Sequence, residues 1–191
     1  MSREKITKIK EILENKKSLD HAMALLHWDL ETEAPVMGTD KIAKTIGYLS
    51  GESYSIVIND EFKELIMSLS INELTELEKK EIEEIKTEYF EKLETIPKKD
   101  YEEYSQLTVI ATKKWEEAKT NNDLNIFKDY LRQIINYNKK FIAYRNSEDK
   151  PYNVLLDDYE KDATVETLDI FFKKINSELS PFIKEVTEHE I

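Results

Sequence analysis

The sequence predicts an all-α protein built from long amphipathic helices packed antiparallel. Three observations carry that expectation. Apolar residues recur at intervals of three and four along most of the chain, with Lys and Glu between them. Only three Gly and four Pro interrupt 191 residues, of which 36% are charged. The breaks between periodic segments are short, which joins neighbouring helices antiparallel.

The elements follow in order. Residues 3 to about 31 read as one helix, with Ile6, Ile9, Leu13, Leu19, Met23 and Leu26 on one stripe. Pro35 and Gly38 close it. Thr39-Asp40 can start the next, with Ile42, Ile46 and Leu49 inward and small residues Gly47, Ser50 and Gly51 where a neighbour can come close. Residues 52–60 hold a short β-branched run, yet their setting between helices favours helix. Asp60 is placed to cap a short helix through Phe62, Leu65 and Ile66. A single helix is expected over 73–96, ended by Pro97, because the residue before a proline avoids the α region. Another follows over 98–119, with Tyr101, Tyr104, Ala111, Trp115 and Ala118 inward. After the turn Asn121-Asn122-Asp123 comes a helix through Phe127, Leu131, Ile134 and Phe141. Residues 146–164 form the longest interruption, with a helical turn over 153–156. Thr164 then reads as the N-cap of a last helix carrying Val165, Leu168, Phe171, Phe172, Ile175 and Leu179. Ser180-Pro181 inside it predicts a kink or a restart.

Composition bounds the function. At 191 residues the chain is expected to form a single helical domain, or a fragment, spanning residues 1–191. It has no Cys, so it carries neither disulfide nor thiolate metal site, which fits a reducing, cytoplasmic setting. A net charge of −12, with its paired lysines dispersed among acids, argues against a nucleic-acid surface. No apolar run approaches the length of a membrane span, and the opening MSREKITKIK has no signal-peptide core.

The chain is organised around HAMALLHWDLETEAPVMG, residues 21–38. Trp28 and Asp29 stand at the end of an apolar run, so Trp28 is expected to follow Leu25 and Leu26 into the core. The Asp29 carboxylate is expected to accept hydrogen bonds from a neighbouring segment, because a carboxylate at a core edge needs partners. A second acidic stretch, Asp157, Asp158 and Glu160 around Tyr159, lacks the alternating ligands and turn glycine of a calcium loop. For both stretches a bracing role is weighed above a groove-lining one.

Trp28-Asp29, Glu31-Thr32 and Pro35 resemble the W-D-x-x-T-x-x-P segment near the start of the carboxypeptidase Taq family. Pro151-Tyr152 with Leu155-Leu156-Asp157-Asp158-Tyr159-Glu160 resembles that family's P-Y-D-x-L-L-D-x-Y-E segment, although Asn153 replaces an acid and Lys161-Asp162 replaces Pro-Gly. Between them Trp115, Ala118, Asn122-Asp123 and Phe127 resemble its W-x-x-A-(K/R)-x-x-N-D-(F/L) junction. The resemblance implies the N-terminal helical part of a groove-shaped, zinc-dependent metallocarboxypeptidase that releases C-terminal residues from peptides. It implies peptide as substrate and zinc, or another divalent metal, in the full-length enzyme. The family's H-E-x-x-H helix is absent from these residues. The three histidines are His21, His27 and His189. Those at 21 and 27 are six apart and face different ways, while His27 and Glu31 are four apart but supply only two ligands. No catalytic or metal-binding residue is therefore assigned, and this stretch alone is expected to be inactive and metal-free. Trp28, Asp29, Thr32, Asp157, Tyr159 and Glu160 are the candidates for lining a groove or bracing the fold. The alternative is a non-catalytic helical module that binds a partner or oligomerises, with a homodimer left open.

Overall fold

The computed structural model describes residues 2–145 and 150–188. The described residues contain no strand, and the chain divides into two compact units, residues 1–145 and 146–191.

The first unit is arranged along α1 (Ser2–Thr32). Its apolar stripe enters two separate cores. Ile6 and Ile9 pack with Val57, Phe62, Ile66, Ile82 and Phe90, while Met23, Leu26 and Leu30 pack with Ala43, Ile46 and Val109. α1 ends where the Glu33 and Ala34 amides both donate to the Asp29 carbonyl, at 3.0 and 2.8 Å. Pro35, extended at ψ 141°, then leads into a 3₁₀ turn over Val36–Gly38.

α2 (Thr39–Val57) holds the β-branched run in helix, because Val57 is wholly buried among apolar neighbours. Tertiary packing outweighs the local preference here. On its other face Gly47 and Gly51 bring α5 (Lys98–Asn121) close. A methyl at Gly47 would stand 3.0 Å from the Glu102 carbonyl, and one at Gly51 would overlap the Glu102 side chain. Ser53 donates to the Asp20 carboxylate at 2.7 Å, which ties α2 back to α1.

α3 (Asp60–Met67) is capped by Asn59, not by Asp60. The Asn59 side chain accepts from the Phe62 amide at 2.8 Å and fixes the entry that buries Phe62 and Ile66.

The helix expected over 73–96 starts late, at Glu76, and runs without a gap into a wider π segment. Residues Ile71–Glu73 form a 3₁₀ turn, and Thr75 caps α4 (Glu76–Ile85) in a capping box with Glu78. The backbone then widens to a π-helix over Lys86–Leu93, where the Glu94 amide reaches the Tyr89 carbonyl at 2.8 Å. Within this wider turn Phe90 enters the core, while Leu77, on the preceding α4, is exposed. Two ties hold the widened end. Glu94 pairs with Lys63 at 2.6 Å, and the Tyr54 hydroxyl donates to the Ile96 carbonyl at 2.8 Å.

α5 ends at Asn122 in the left-handed region (φ 50°). The Asp123 amide bonds to Ala118 and the Asn122 amide to Lys119, the paired closure of a Schellman turn. The Asp123 carboxylate accepts from the Asn125 amide and opens α6 (Asn125–Arg145). α6 returns along α5 with an aromatic cluster of Tyr104, Tyr137 and Phe141, the Tyr104–Phe141 rings meeting edge to face at 5.0 Å. Trp115, expected inside, is exposed, as is Leu131, with Lys119 above the Trp115 ring.

The second unit contains α7 (Pro151–Leu156), a reversal over 157–164, and α8 (Val165–Glu188). Residues 146–149 of the expected interruption lie outside the described residues. Thr164 caps α8, accepting from the Thr167 amide at 3.1 Å. α8 runs unbroken through Pro181, so the expected restart does not occur. That stretch is exposed, and water can satisfy the carbonyl that a proline leaves without its amide.

Candidate functional site

The organising stretch turns its aromatic outward. Trp28 is 70% exposed and Leu25 is exposed beside it, which corrects the expectation that both follow the core. Helical geometry supplies the reason. The buried stripe continues Met23, Leu26, Leu30, at steps of three and four, and Leu30 is only 7% exposed. Leu25, Trp28 and Thr32 fall on the opposite face at the same steps. The run of consecutive apolar letters hid two faces of one helix.

Asp29 is exposed as well, and among the described residues its carboxylate takes no hydrogen bond from a neighbouring segment, contrary to expectation. It is the Asp29 backbone carbonyl that closes the helix. The Thr32 hydroxyl donates to the Trp28 carbonyl at 2.8 Å, holding the last turn. Beyond it Val36 and Met37 are almost bare, Met37 at 99% exposure. Leu25, Trp28, Val36 and Met37 are thus four exposed apolar residues within positions 25–37, at a helix end where Leu30 is buried.

The acidic stretch belongs to the other unit and is described by itself. Asp157 is half-buried, and its carboxylate accepts from the Asp162 amide at 2.9 Å, where Asp162 stands in the left-handed region at φ 62°. Asp157 therefore shapes the reversal after α7. Tyr159 and Glu160 instead point to solvent, Tyr159 at 92% exposure. Asn153 is the residue the sequence reading underused. It is buried, and its side-chain oxygen accepts from the Val165 amide at 3.0 Å, fastening the start of α8 to α7. Its appearance where the resembled segment carries an acid was the available signal, since either side chain can cap a helix.

A cavity of about 420 Å³ opens between α1 and α4. Its floor includes Leu13, Ile82 and Tyr89, and acids including Glu81 and Glu84 stand at its edge. Burial, aided by Asp20, raises the Tyr89 phenol above its ordinary pKa.

His21 and His27 are exposed on different faces, and the Glu31 carboxylate is taken by Lys113 at 3.0 Å. Among the described residues no group of three or more His, Cys, Asp or Glu is placed to hold a metal ion. His189 lies outside the described residues. No described helix is long and apolar enough to cross a membrane.

The all-α fold carries, in order, the three motifs that resemble segments of one metallopeptidase family. Residues 8–191 match the carboxypeptidase Taq metallopeptidase family, and the chain belongs to that family. It is similar to Carboxypeptidase 1 of Bacillus subtilis, 40% identical over 183 residues, which is 93% of this chain and 36% of that protein. Thermostable carboxypeptidase 1 of Pyrococcus furiosus is 30% identical over 90% of this chain and 34% of its own length. The crystal structure of BsuCP superposes with a TM-score of 0.86 at 40% identity, over 95% of this chain and 37% of that one. The chain thus spans about a third of the length of the curated relatives it matches. The described residues do not fit the metal centre that the family name implies.

Proposed function

We propose that this chain is the N-terminal helical region of a zinc-dependent metallocarboxypeptidase that releases C-terminal amino acids from peptides. In this reading residues 1–191 form one wall of a peptide groove and the metal-bearing part forms the other. The stretch alone is inactive and holds no zinc. The observation that carries the reading is the family match over residues 8–191 combined with the chain's reach over only 36% of the Bacillus protein. The exposed edge of Leu25, Trp28, Val36 and Met37 supports it, because a wall that meets a second part needs an apolar face there. We place the enzyme in the cytoplasm, because 191 residues without Cys fit a reducing compartment.

A second reading, a non-catalytic helical module that binds a partner or pairs with itself, is favoured by one observation. α8 leaves Phe171, Phe172, Phe182 and Ile183 exposed. Determining the native reading frame and the intact mass of the native protein separates the two. The first reading expects a polypeptide of the relatives' length, with H-E-x-x-H downstream of residue 191. A native product that is this chain alone would leave the second.

A further inference from the structure

Seen along its axis, α8 carries a second pattern. Leu168, Phe172, Ile175, Leu179, Phe182 and Val186 follow one another at steps of four and three over more than two heptads. This is the 3.5-residue repeat of a helix whose seam can face another long helix, and apolar Phe171 and Ile183 widen that face at its borders. The seam is open. Phe172, Leu179, Phe182 and Val186 are each about half exposed, and no residue of α8 is buried. The six positions bordering it are Asp169, Phe171, Asn176, Glu178, Ile183 and Glu185. They hold three acids and no base. The lysines of α8, Lys173, Lys174 and Lys184, stand outside those borders.

We propose that the α8 seam docks one long helix with its own apolar seam bordered by Lys or Arg, and that this helix comes from the part of the peptidase that the chain does not span. The proposal rests on the reading of the chain as the enzyme's N-terminal third. It concerns binding alone, so it stands or falls separately from peptidase activity. Border charges select partners in such pairings, because an acid opposite a base is favourable and like charges oppose. A second copy of α8 offers no base to Asp169 or Glu178 in either orientation, and antiparallel pairing sets Glu178 against its own counterpart. A basic-bordered helix satisfies both acids while it covers the phenylalanines. Pro181 falls off the seam, so its missing amide does not interrupt the contact face.

The test uses the 191-residue chain and two synthetic peptides of α8's length. Both carry Leu at every seam position; one has Lys at the bordering positions and the other Glu. Fluorescence anisotropy reads binding, and sedimentation equilibrium reads the state of the chain itself. The expected result is a monomeric chain that binds the Lys-bordered peptide roughly tenfold tighter than the Glu-bordered one. Added salt narrows the difference. Leu179→Glu abolishes binding, with circular dichroism verifying that the exposed substitution leaves the fold intact. Asp169→Lys with Glu178→Lys inverts the preference. Equal binding of both peptides, or binding of neither, overturns the proposal. So does a chain dimer that Leu179→Glu dissociates, since the occupant would then be a second copy.

Discussion

Trp28 and Leu30 lie two residues apart on α1 and have opposite fates. Leu30 closes the core shared with Ala43, Ile46 and Val109, while Trp28 faces out. Leu30→Ala should cost about 2–5 kcal/mol, as for a buried aliphatic deletion. Trp28→Ala should stay within about 0.5 kcal/mol, the range of exposed positions. Urea unfolding of both variants checks the pair, and a Trp28→Ala protein destabilised as much as Leu30→Ala would contradict the outward placement. Asn153 gives a second residue-level prediction. Asn153→Ala leaves the Val165 amide without its side-chain partner and should cost about 0.5–2 kcal/mol of local stability. Hydrogen exchange should report it as faster opening at the start of α8, with residues 98–121 unchanged.

At the scale of elements, most helices were legible because their apolar residues keep the helical period. Helices α1, α2, α5 and α6 lie close to where the periodicity set them. The close approach of α5 was also readable, in the small residues of α2. Substituting Gly47 by Val should cost about 1–3 kcal/mol through overpacking, because the obstructing atom is the Glu102 backbone carbonyl, which α5 holds in place. Thermal unfolding measures it, and an unchanged midpoint would show that the two helices can part. The widening inside 73–96 was not legible. A π-turn shifts the register by one residue, and nothing in the letters distinguishes that from a straight helix until Phe90 is seen in the core. The direction of Trp28 was legible in principle, by extending the Met23–Leu26 step to Leu30. The seam of α8 could likewise be counted from the sequence; its exposure could not.

Across the whole molecule, burial sets an alkaline limit on stability. Tyr101, Tyr89 and Tyr54 have phenol pKa values raised first by burial and then by nearby acids, Asp20 for the first two and Glu94 for the third. A phenol whose folded pKa exceeds its unfolded one favours the folded state while it stays neutral. Its contribution is whole below the unfolded value of about 10 and is lost as pH rises through the folded value. Stability should therefore fall above about pH 10, with part of the tyrosinate absorbance appearing together with unfolding. Full titration of the tyrosines at their ordinary pH in a protein that remains folded would contradict this. The acidic side has the opposite sign. Hydrogen bonds from Thr75 to Glu78 and from Lys8 to Glu61 lower those carboxyl pKa values, and what they contribute is lost as pH falls through the lowered values.

In the proposed function this helical third supplies a wall and contact faces, and the metal chemistry belongs to residues outside it. The most direct measurement is metal content and C-terminal residue release by the purified 191-residue chain, after dialysis and with zinc re-added. The account predicts no stoichiometric metal and no release above a zinc-only blank. One tightly held metal ion per chain, or turnover proportional to chain concentration, would contradict it.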